Sequence, residues 1–359
     1  MRHICFFIGD ISLSGGTERV ASVLANFLVD NGFDVSILSL QCGQKSFFHL
    51  NEKIKTYGLF DKPGRGLFRF PMTVLCLRSF IKKNNVDVLI SVESMLSIYS
   101  IPALLYLNRR NICWEHFNYK IDLGKKVRRL ARILASFFAD DIVTLTDRDK
   151  RFWIDNLQCK AKVVRIYNPV PFLISEKNNK KQKVMLAVGR LNHQKGFDLL
   201  LQAWAIFFRK HNDWILRIVG SGEDELYLKD ICCSLNICDS VEFHGNTKDI
   251  VEYYSSSAFY VMTSRFEGFP MVLLEAQEAG LPIISFDCDT GPDEIIINNQ
   301  CGWLVSHYDI NEFADKLECA VTVYNDNEKY NRAVLSSTEN AKKYHLDNIG
   351  KQWVELLNE

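Results

Sequence analysis

A chain of 359 residues, 47% hydrophobic and 24% charged, is globular and long enough for two domains, each with its own core. Its formal net charge is zero, yet residues 1 to 170 carry 25 Lys and Arg against 15 Asp and Glu, and residues 171 to 359 carry 18 against 28. The first half therefore suits an anionic partner, either nucleic acid or the inner face of a membrane. Eleven cysteines, odd in number and without a Cys-x-x-Cys pair, argue against a disulfide framework. Several, among them Cys5, Cys288 and Cys319, lie in apolar runs and read as reduced core residues of a cytosolic protein, while Cys232-Cys233 lacks the further ligands of a zinc site. The opening Met1-Arg-His-Ile-Cys-Phe-Phe-Ile reaches Gly9-Asp10 too soon for a signal peptide. No apolar run attains the roughly 18 residues of a membrane span, so the chain is expected not to be integral.

In chain order, His3 to Ile8 reads as a buried strand, followed by the loop Gly9 to Gly16 and a helical pattern through Val20, Val23, Leu24, Phe27 and Leu28 to Asn31-Gly32. Gly15 and Gly16 before a helix start allow a ligand close to the backbone, although the loop is neither Gly-x-Gly-x-x-Gly nor a P-loop. Further strands are expected at Phe33 to Leu40, Val86 to Ser91, Asn111 to Trp114 and Asp141 to Thr146, and with helices between them they imply a parallel, doubly wound sheet. Leu67 to Phe80 is either a core helix or an interfacial segment pressing Phe68, Phe70 and Leu75 into a bilayer. Lys125 to Phe138 is a basic amphipathic helix. Val127, Leu130, Ala131, Ile133 and Leu134 form one face and Lys125, Lys126, Arg128, Arg129 and Arg132 the rest, as suits a membrane surface, a diphosphate or a solvated charged face.

The pattern stops around Tyr167-Asn-Pro-Val-Pro171, and the polar run 175–183 reads as an interdomain linker. A second alternating series follows. It has strands at Val184 to Val188, Trp214 to Val219, Val241 to His244, Ala258 to Thr263 and Pro282 to Phe286, and a last amphipathic helix at Ile349 to Leu357. Gly268 and Pro270 turn the chain after the fourth of these strands, and Met271 to Ala279 reads as a short helix ending at Gly280. The first N–H groups of that helix, at Met271, Val272 and Leu273, make an anion site. Glu267 and Glu275 border it, and carboxylates beside a phosphate suit hydroxyls of a ribose or a sugar better than the phosphate itself. In the loop GRLNHQKGF, Arg190 and Lys195 are either surface cations or a pair that neutralises a diphosphate. His116, in Trp-Glu-His-Phe, is either structural or an uncharged imidazole that hydrogen-bonds a hydroxyl.

On VGRLNHQKGFDLLLQAW, GSGEDE, FHGN, the Glu267 to Glu275 stretch and SFDCDTGPDEII, with SGGTERV and WEHFN in the first half, the chain resembles the retaining glycosyltransferases of family four. The resemblance implies an α/β GT-B fold with two facing Rossmann-like doubly wound parallel sheets and a cleft between them. Residues 1–170 would form the acceptor-binding domain, 171–340 the nucleotide-sugar domain, and 341–359 a terminal helix returning to the first. It implies retaining transfer of a hexose or N-acetylhexosamine from a nucleotide diphosphate sugar, UDP-linked, which is a co-substrate, with no cofactor and no metal. By carry-over, Arg190 and Lys195 hold the diphosphate, Glu275 takes the ribose hydroxyls, Glu267 orients the sugar, Gly16 gives backbone approach and His116 touches the sugar. Gly15, Gly220, Gly268, Phe269, Met271, Val272 and Leu273 complete the donor side. Asp147-Arg-Asp149 and Asp287-Cys-Asp289 read as turn and capping chemistry, although the family commonly has Pro at position 289. Such enzymes often extend a glycan on a lipid diphosphate, as in O-antigen or capsule assembly. The expectation is therefore a peripheral protein on the cytoplasmic membrane face, with Lys125, Lys126, Arg128, Arg129 and Arg132 as its acceptor and membrane contact and no nucleic-acid partner. The alternative is a GT-B-like nucleotide-binding or regulatory protein without transfer.

Overall fold

The computed structural model describes every residue except Gln44, Pro63, Arg65, Leu123, Lys125, 175–180 and Lys248, and leaves aside the side chains of 66–68. Two units emerge: unit 1, Met1–Pro171 with Leu346–Glu359, and unit 2, Phe172–His345.

Unit 1 begins with β1 (His3–Ile8), α1 (Gly16–Asp30), β2 (Asp34–Ser39) and β3 (Lys55–Gly58). It continues through α2 (Gly66–Lys83), β4 (Val88–Val92), α3 (Ser97–Leu104) and β5 (Arg110–Trp114). Then come α4 (Lys126–Phe138), β6 (Asp141–Thr144), α5 (Asp147–Asn156) and β7 (Lys162–Arg165). The strands form one parallel sheet in the order β3-β2-β1-β4-β5-β6-β7. β1 and β4 are central, and Ile4 to Phe7 and Val88 to Ile90 are buried on both faces, which is why they read as unbroken apolar runs.

Unit 2 holds β8 (Val184–Val188), α6 (Phe197–Phe208), β9 (Ile215–Val219), α7 (Glu225–Ser234), β10 (Val241–His244) and α8 (Ile250–Ser256). After these come β11 (Phe259–Met262), α9 (Met271–Glu278), β12 (Ile283–Phe286), α10 (Pro292–Ile295), β13 (Gly302–Val305), α11 (Ile310–Tyr324) and α12 (Asn327–Ala341). Its sheet is also parallel, in the order β10-β9-β8-β11-β12-β13. The last helix, α13 (Leu346–Asn358), belongs to unit 1. There the buried Trp353 meets Trp114 edge-on at 4.8 Å, and Gly350 lies so close to Phe27 of α1 that a Cβ would stand 2.3 Å from its ring.

Three strands were not expected from the sequence. β3 and β7 are edge strands of four half-exposed residues, KTYG and KVVR, without the apolar run that marks a central strand. β13 is a third edge strand. Among the expected core cysteines, Cys5 and Cys288 are buried, but Cys319, on α11, is exposed; Cys233 in α7 and Cys238 after it are exposed too. Among the described residues no helix is long and apolar enough to cross a membrane.

Candidate functional site

Every strand of unit 2 is parallel, so all loops after strands gather at one edge of the sheet, where α/β proteins bind ligands. Three of them interlock through backbone contacts. A Cβ on Gly220, whose φ is +142°, would stand 2.0 Å from the Gly189 carbonyl oxygen. A Cβ on Gly196, at φ +64°, would meet the Thr263 carbonyl oxygen at 2.2 Å. These glycines let the β8, β9 and β11 loops touch. Within this frame the Asn192 side chain accepts from the Lys195 N–H at 3.3 Å, and the Lys195 Nζ reaches Glu267 Oε1 at 2.7 Å. Lys195 keeps 20% of its side-chain surface open and Glu267 only 8%, so the pair is a largely sheltered charge contact at the mouth of α9. Arg190 is more open and pairs with Glu223 at 3.0 Å, an exposed contact that a diphosphate can displace.

Two neighbours hold these residues, one at the Glu267 backbone and one at the Glu275 carboxylate. Thr290 donates its hydroxyl to the Glu267 carbonyl at 2.6 Å, and Tyr254, fully buried, donates its hydroxyl to Glu275 Oε2 at 2.8 Å. Arg265 clamps Asp198 through two bonds of 2.8 and 2.6 Å and donates to the His193 carbonyl, holding the loop that carries Lys195. At the helix start one expected donor is already used: the Leu273 N–H bonds the Pro270 carbonyl at 3.0 Å, as happens where a first turn tightens. The anion site thus narrows to Met271 and Val272. The Phe269 side chain, 5% exposed, packs on Tyr344 at 5.7 Å, so only its backbone faces the loop region.

Unit 1 has its own gathering of loops. Gly15 caps α1 and Gly16 begins it, and a Cβ at Gly16 would meet nothing within 4 Å, so no packing constraint requires a glycine there. His116 follows β5. Its ring centroid lies 4.4 Å from that of Trp114, and its enclosed Nε2 has no hydrogen-bond partner among the described residues. Burial pushes its pKa down to about 4, against a weaker opposing pull from Glu115, so the imidazole is neutral at pH 7. Glu115 is wholly buried; burial alone would raise its pKa, but the Arg132 guanidinium holds it below the ordinary carboxylate value.

The α4 expectation needs correcting here. Arg132 faces inward, binding Glu115 at 2.8 Å and the carbonyls of Tyr119, Asn118 and Ile121. Arg128 also faces inward, 2% exposed, pairing with Glu93 at 2.8 Å and lying over the Phe117 ring at 4.3 Å. Neither can touch a membrane or an acceptor from this position, because both guanidinium groups are enclosed and each is engaged by a carboxylate of unit 1. Lys126 and Arg129 are exposed, and Lys125 lies outside the described residues. Glu93 itself has φ +93°, a strained value for a side-chain-bearing residue, held by its N–H bond to the Trp114 carbonyl and by Arg128.

Two family models cover the chain: Glycosyltransferase Family 4 over residues 14–172 and Glycosyl transferases group 1 over 172–337. The amylovoran biosynthesis glycosyltransferase AmsD of Erwinia amylovora is 31% identical over 368 aligned positions, covering 100% of both chains. The chain belongs to the family four glycosyltransferases. A second relative, 28% identical over 100% of this chain and 99% of its own, is the GalNAc-alpha-(1->4)-GalNAc-alpha-(1->3)-diNAcBac-PP-undecaprenol alpha-1,4-N-acetyl-D-galactosaminyltransferase of Campylobacter jejuni. Among solved structures, a mutant of Staphylococcus aureus TarM in complex with Fondaparinux, alpha-GlcNAc-glycerol and UDP superposes with a TM-score of 0.81 at 15% identity over 100% of both chains, which places this glycosyltransferase in the GT-B fold.

For this family four glycosyltransferase the residues singled out by sequence fall into two groups. Arg190, Lys195, Gly220, Glu267, Gly268, Met271, Val272 and Glu275 lie on the loop edge of unit 2 or in α9 beside it, and Gly15, Gly16 and His116 share the loop edge of unit 1. Tyr254, Thr290, Arg265 and Asp198 were not anticipated, because each acts across 21 residues or more of chain and no local pattern announces it. Glu115, adjoining His116 in Trp-Glu-His-Phe, was visible in the sequence but carried no sign of its buried partner.

Proposed function

We propose that the protein transfers a hexose or N-acetylhexosamine from a UDP-linked sugar, with retention and without a metal, to a lipid-diphosphate-linked glycan in bacterial surface polysaccharide assembly. The observation that carries this is the 2.7 Å contact of Lys195 with Glu267 at the start of α9. A diphosphate arriving at Met271 and Val272 competes for the Lys195 ammonium, and the freed Glu267 carboxylate then accepts hydrogen bonds from sugar hydroxyls. Lys195, Arg190 and the helix start stabilise the charge that grows on the diphosphate as the bond to the anomeric carbon breaks. Glu275, fixed by Tyr254, serves the ribose, and neutral His116 serves a sugar hydroxyl without adding charge. The names of the relatives support the setting: one acts in amylovoran biosynthesis, one on an undecaprenyl-diphosphate-linked glycan, and one was crystallised with UDP. Such an acceptor puts the protein at the cytoplasmic membrane face as a peripheral enzyme.

The test is a panel of UDP-sugars and other nucleotide sugars incubated with the protein and a short-chain lipid-diphosphate glycan, with nucleotide release and the anomeric configuration of the product followed by NMR. One UDP-sugar is expected to react with retained configuration. Nucleotide binding without transfer from any donor would instead favour the non-catalytic alternative, and inversion would remove the retaining mechanism.

A further inference from the structure

α7 ends in a reversal that two backbone bonds and one left-handed residue define. Asn236 takes a φ of +56°, the Ile237 N–H bonds the Cys232 carbonyl at 3.0 Å, and the Asn236 N–H bonds the Cys233 carbonyl at 3.2 Å. Helices closed in this way are commonly sealed by an apolar pair, one residue in the last turn and one just beyond the left-handed position. Here the pair is Cys232 and Ile237, both buried in the core of unit 2. The following residues are fixed as well: the Ser240 hydroxyl donates to the Ile237 carbonyl at 2.9 Å and accepts from the Trp204 indole N–H at 3.0 Å. With Cys232 and Ile237 committed to the core, the residue after each, Cys233 and Cys238, is left exposed. Their Sγ atoms share a hydrogen bond at 3.1 Å, a separation only about 1 Å longer than a disulfide bond. The backbone therefore holds the two sulfurs together before any bond joins them, and each is present at high effective concentration for the other. The hydrogen bond with Cys233 is the main cause that holds the Cys238 thiol above its ordinary pKa, so Cys238 keeps the shared proton and Cys233 is the sulfur set to attack.

We propose that Cys233 and Cys238 are a dithiol site that accepts a low-molecular-weight disulfide as oxidant and closes to a reversible intramolecular disulfide. The Cys233 thiolate attacks one sulfur of the oxidant, whose other half leaves as a thiolate. Cys238 then loses its proton and attacks the Cys233 sulfur of the mixed disulfide, releasing the second half. The two protein thiols give up two electrons and two protons, and the oxidant becomes two thiols. β9 and β10 are parallel, so α7 runs back from the loop edge and its final corner lies at the opposite edge of the sheet from Lys195 and Glu267. The site is thus independent of the transferase reading. Its bridge braces the end of α7 against the approach to β10, where the corner already has its final shape.

Oxidised glutathione added to the full chain, followed by alkylation of free thiols, proteolysis and mass spectrometry, tests it, with thermal unfolding as a second readout. The parent is expected to yield a peptide bridged between Cys233 and Cys238, reopened by dithiothreitol, while the solitary exposed Cys319 carries glutathione instead. Cys238→Ser is expected to stop at the mixed disulfide on Cys233. Oxidation should raise the unfolding midpoint of the parent by a few degrees and leave that of Cys233→Ser with Cys238→Ser unmoved, circular dichroism verifying that the variant folds. The proposal is overturned if both thiols stay free at an oxidant excess that modifies a free cysteine peptide, or if both take glutathione and remain unbridged. It is equally overturned if bridging lowers the midpoint, since the corner would then have to deform to close.

Discussion

The cations of α4 and those of the Gly189 to Gly196 loop look interchangeable in the sequence, and the fold uses them in opposite ways. Arg132 spends its donors on Glu115 and three carbonyls, and Arg128 is held by Glu93 and Phe117. Arg190 is 69% open, and Lys195, 20% open, pairs with Glu267, which also belongs to the donor side. A cation that is itself enclosed, as Arg128 and Arg132 are at 3% exposure, is part of the scaffold, because removing it strands its counter-charge. A cation that stays open, largely as Arg190 or partly as Lys195, can meet a ligand. Basic character alone therefore says little about binding; the burial of the cation itself decides it.

The widest break in that comparison is Arg132→Ala, which strands the buried Glu115 and is expected to cost about 3–5 kcal/mol of stability, read by urea unfolding of the intact chain. Full stability would mean that the Arg132 contact is dispensable. Lys195→Ala should act mainly on turnover: it leaves the sheltered Glu267 without its ammonium, at about 1–3 kcal/mol of stability, while kcat drops roughly a hundredfold to a thousandfold, the scale set by losing one group that stabilises developing charge. Unaltered kcat in a folded Lys195→Ala protein would remove it from the chemistry. His116 provides a test through pH. Its folded pKa near 4 lies below the unfolded value of 6.5, so its contribution is present above pH 6.5 and is lost as pH falls towards 4. Allowing for its partial exposure, the parent should lose about 2 kcal/mol more than His116→Gln across that window. Parallel stability curves for the two proteins would contradict the enclosed, neutral imidazole. The smallest effect sharpens the contrast within α4 itself: Arg129→Gln, exposed and one residue from Arg128, should shift stability by less than about 0.5 kcal/mol. A loss comparable to that of Arg132→Ala would show that the outward side of α4 also carries structure.

Much of the fold was legible because parallel central strands are buried on both faces and leave unbroken apolar runs. His3 to Ile8 and Val184 to Val188 coincide with β1 and β8 to the residue, as Val241 to His244 does with the edge strand β10. The short helix at Met271 followed from Pro270 and Gly280, whose backbone constraints act locally. What escaped depended on partners far along the chain. KTYG and KVVR become strands only because β2 and β6 offer them free backbone edges, and Tyr254 matters only because α8 brings it to Glu275. The orientation of α4 escaped for the same reason, since its pattern favours burial of the apolar side and only Glu93 and Glu115, distant in the chain, turn Arg128 and Arg132 inward.

By itself the sequence determined the two parallel-sheet cores, the glycine-lined turns and the family four glycosyltransferase signature, since these rest on apolar runs, local backbone preferences and fixed spacings. Tertiary structure alone decided that Lys195 faces Glu267, that Leu273 is spent on Pro270, and that Arg128 and Arg132 turn away from solvent. Those outcomes are choices among partners for a charge or a donor, and the choice is made by which groups the fold buries side by side.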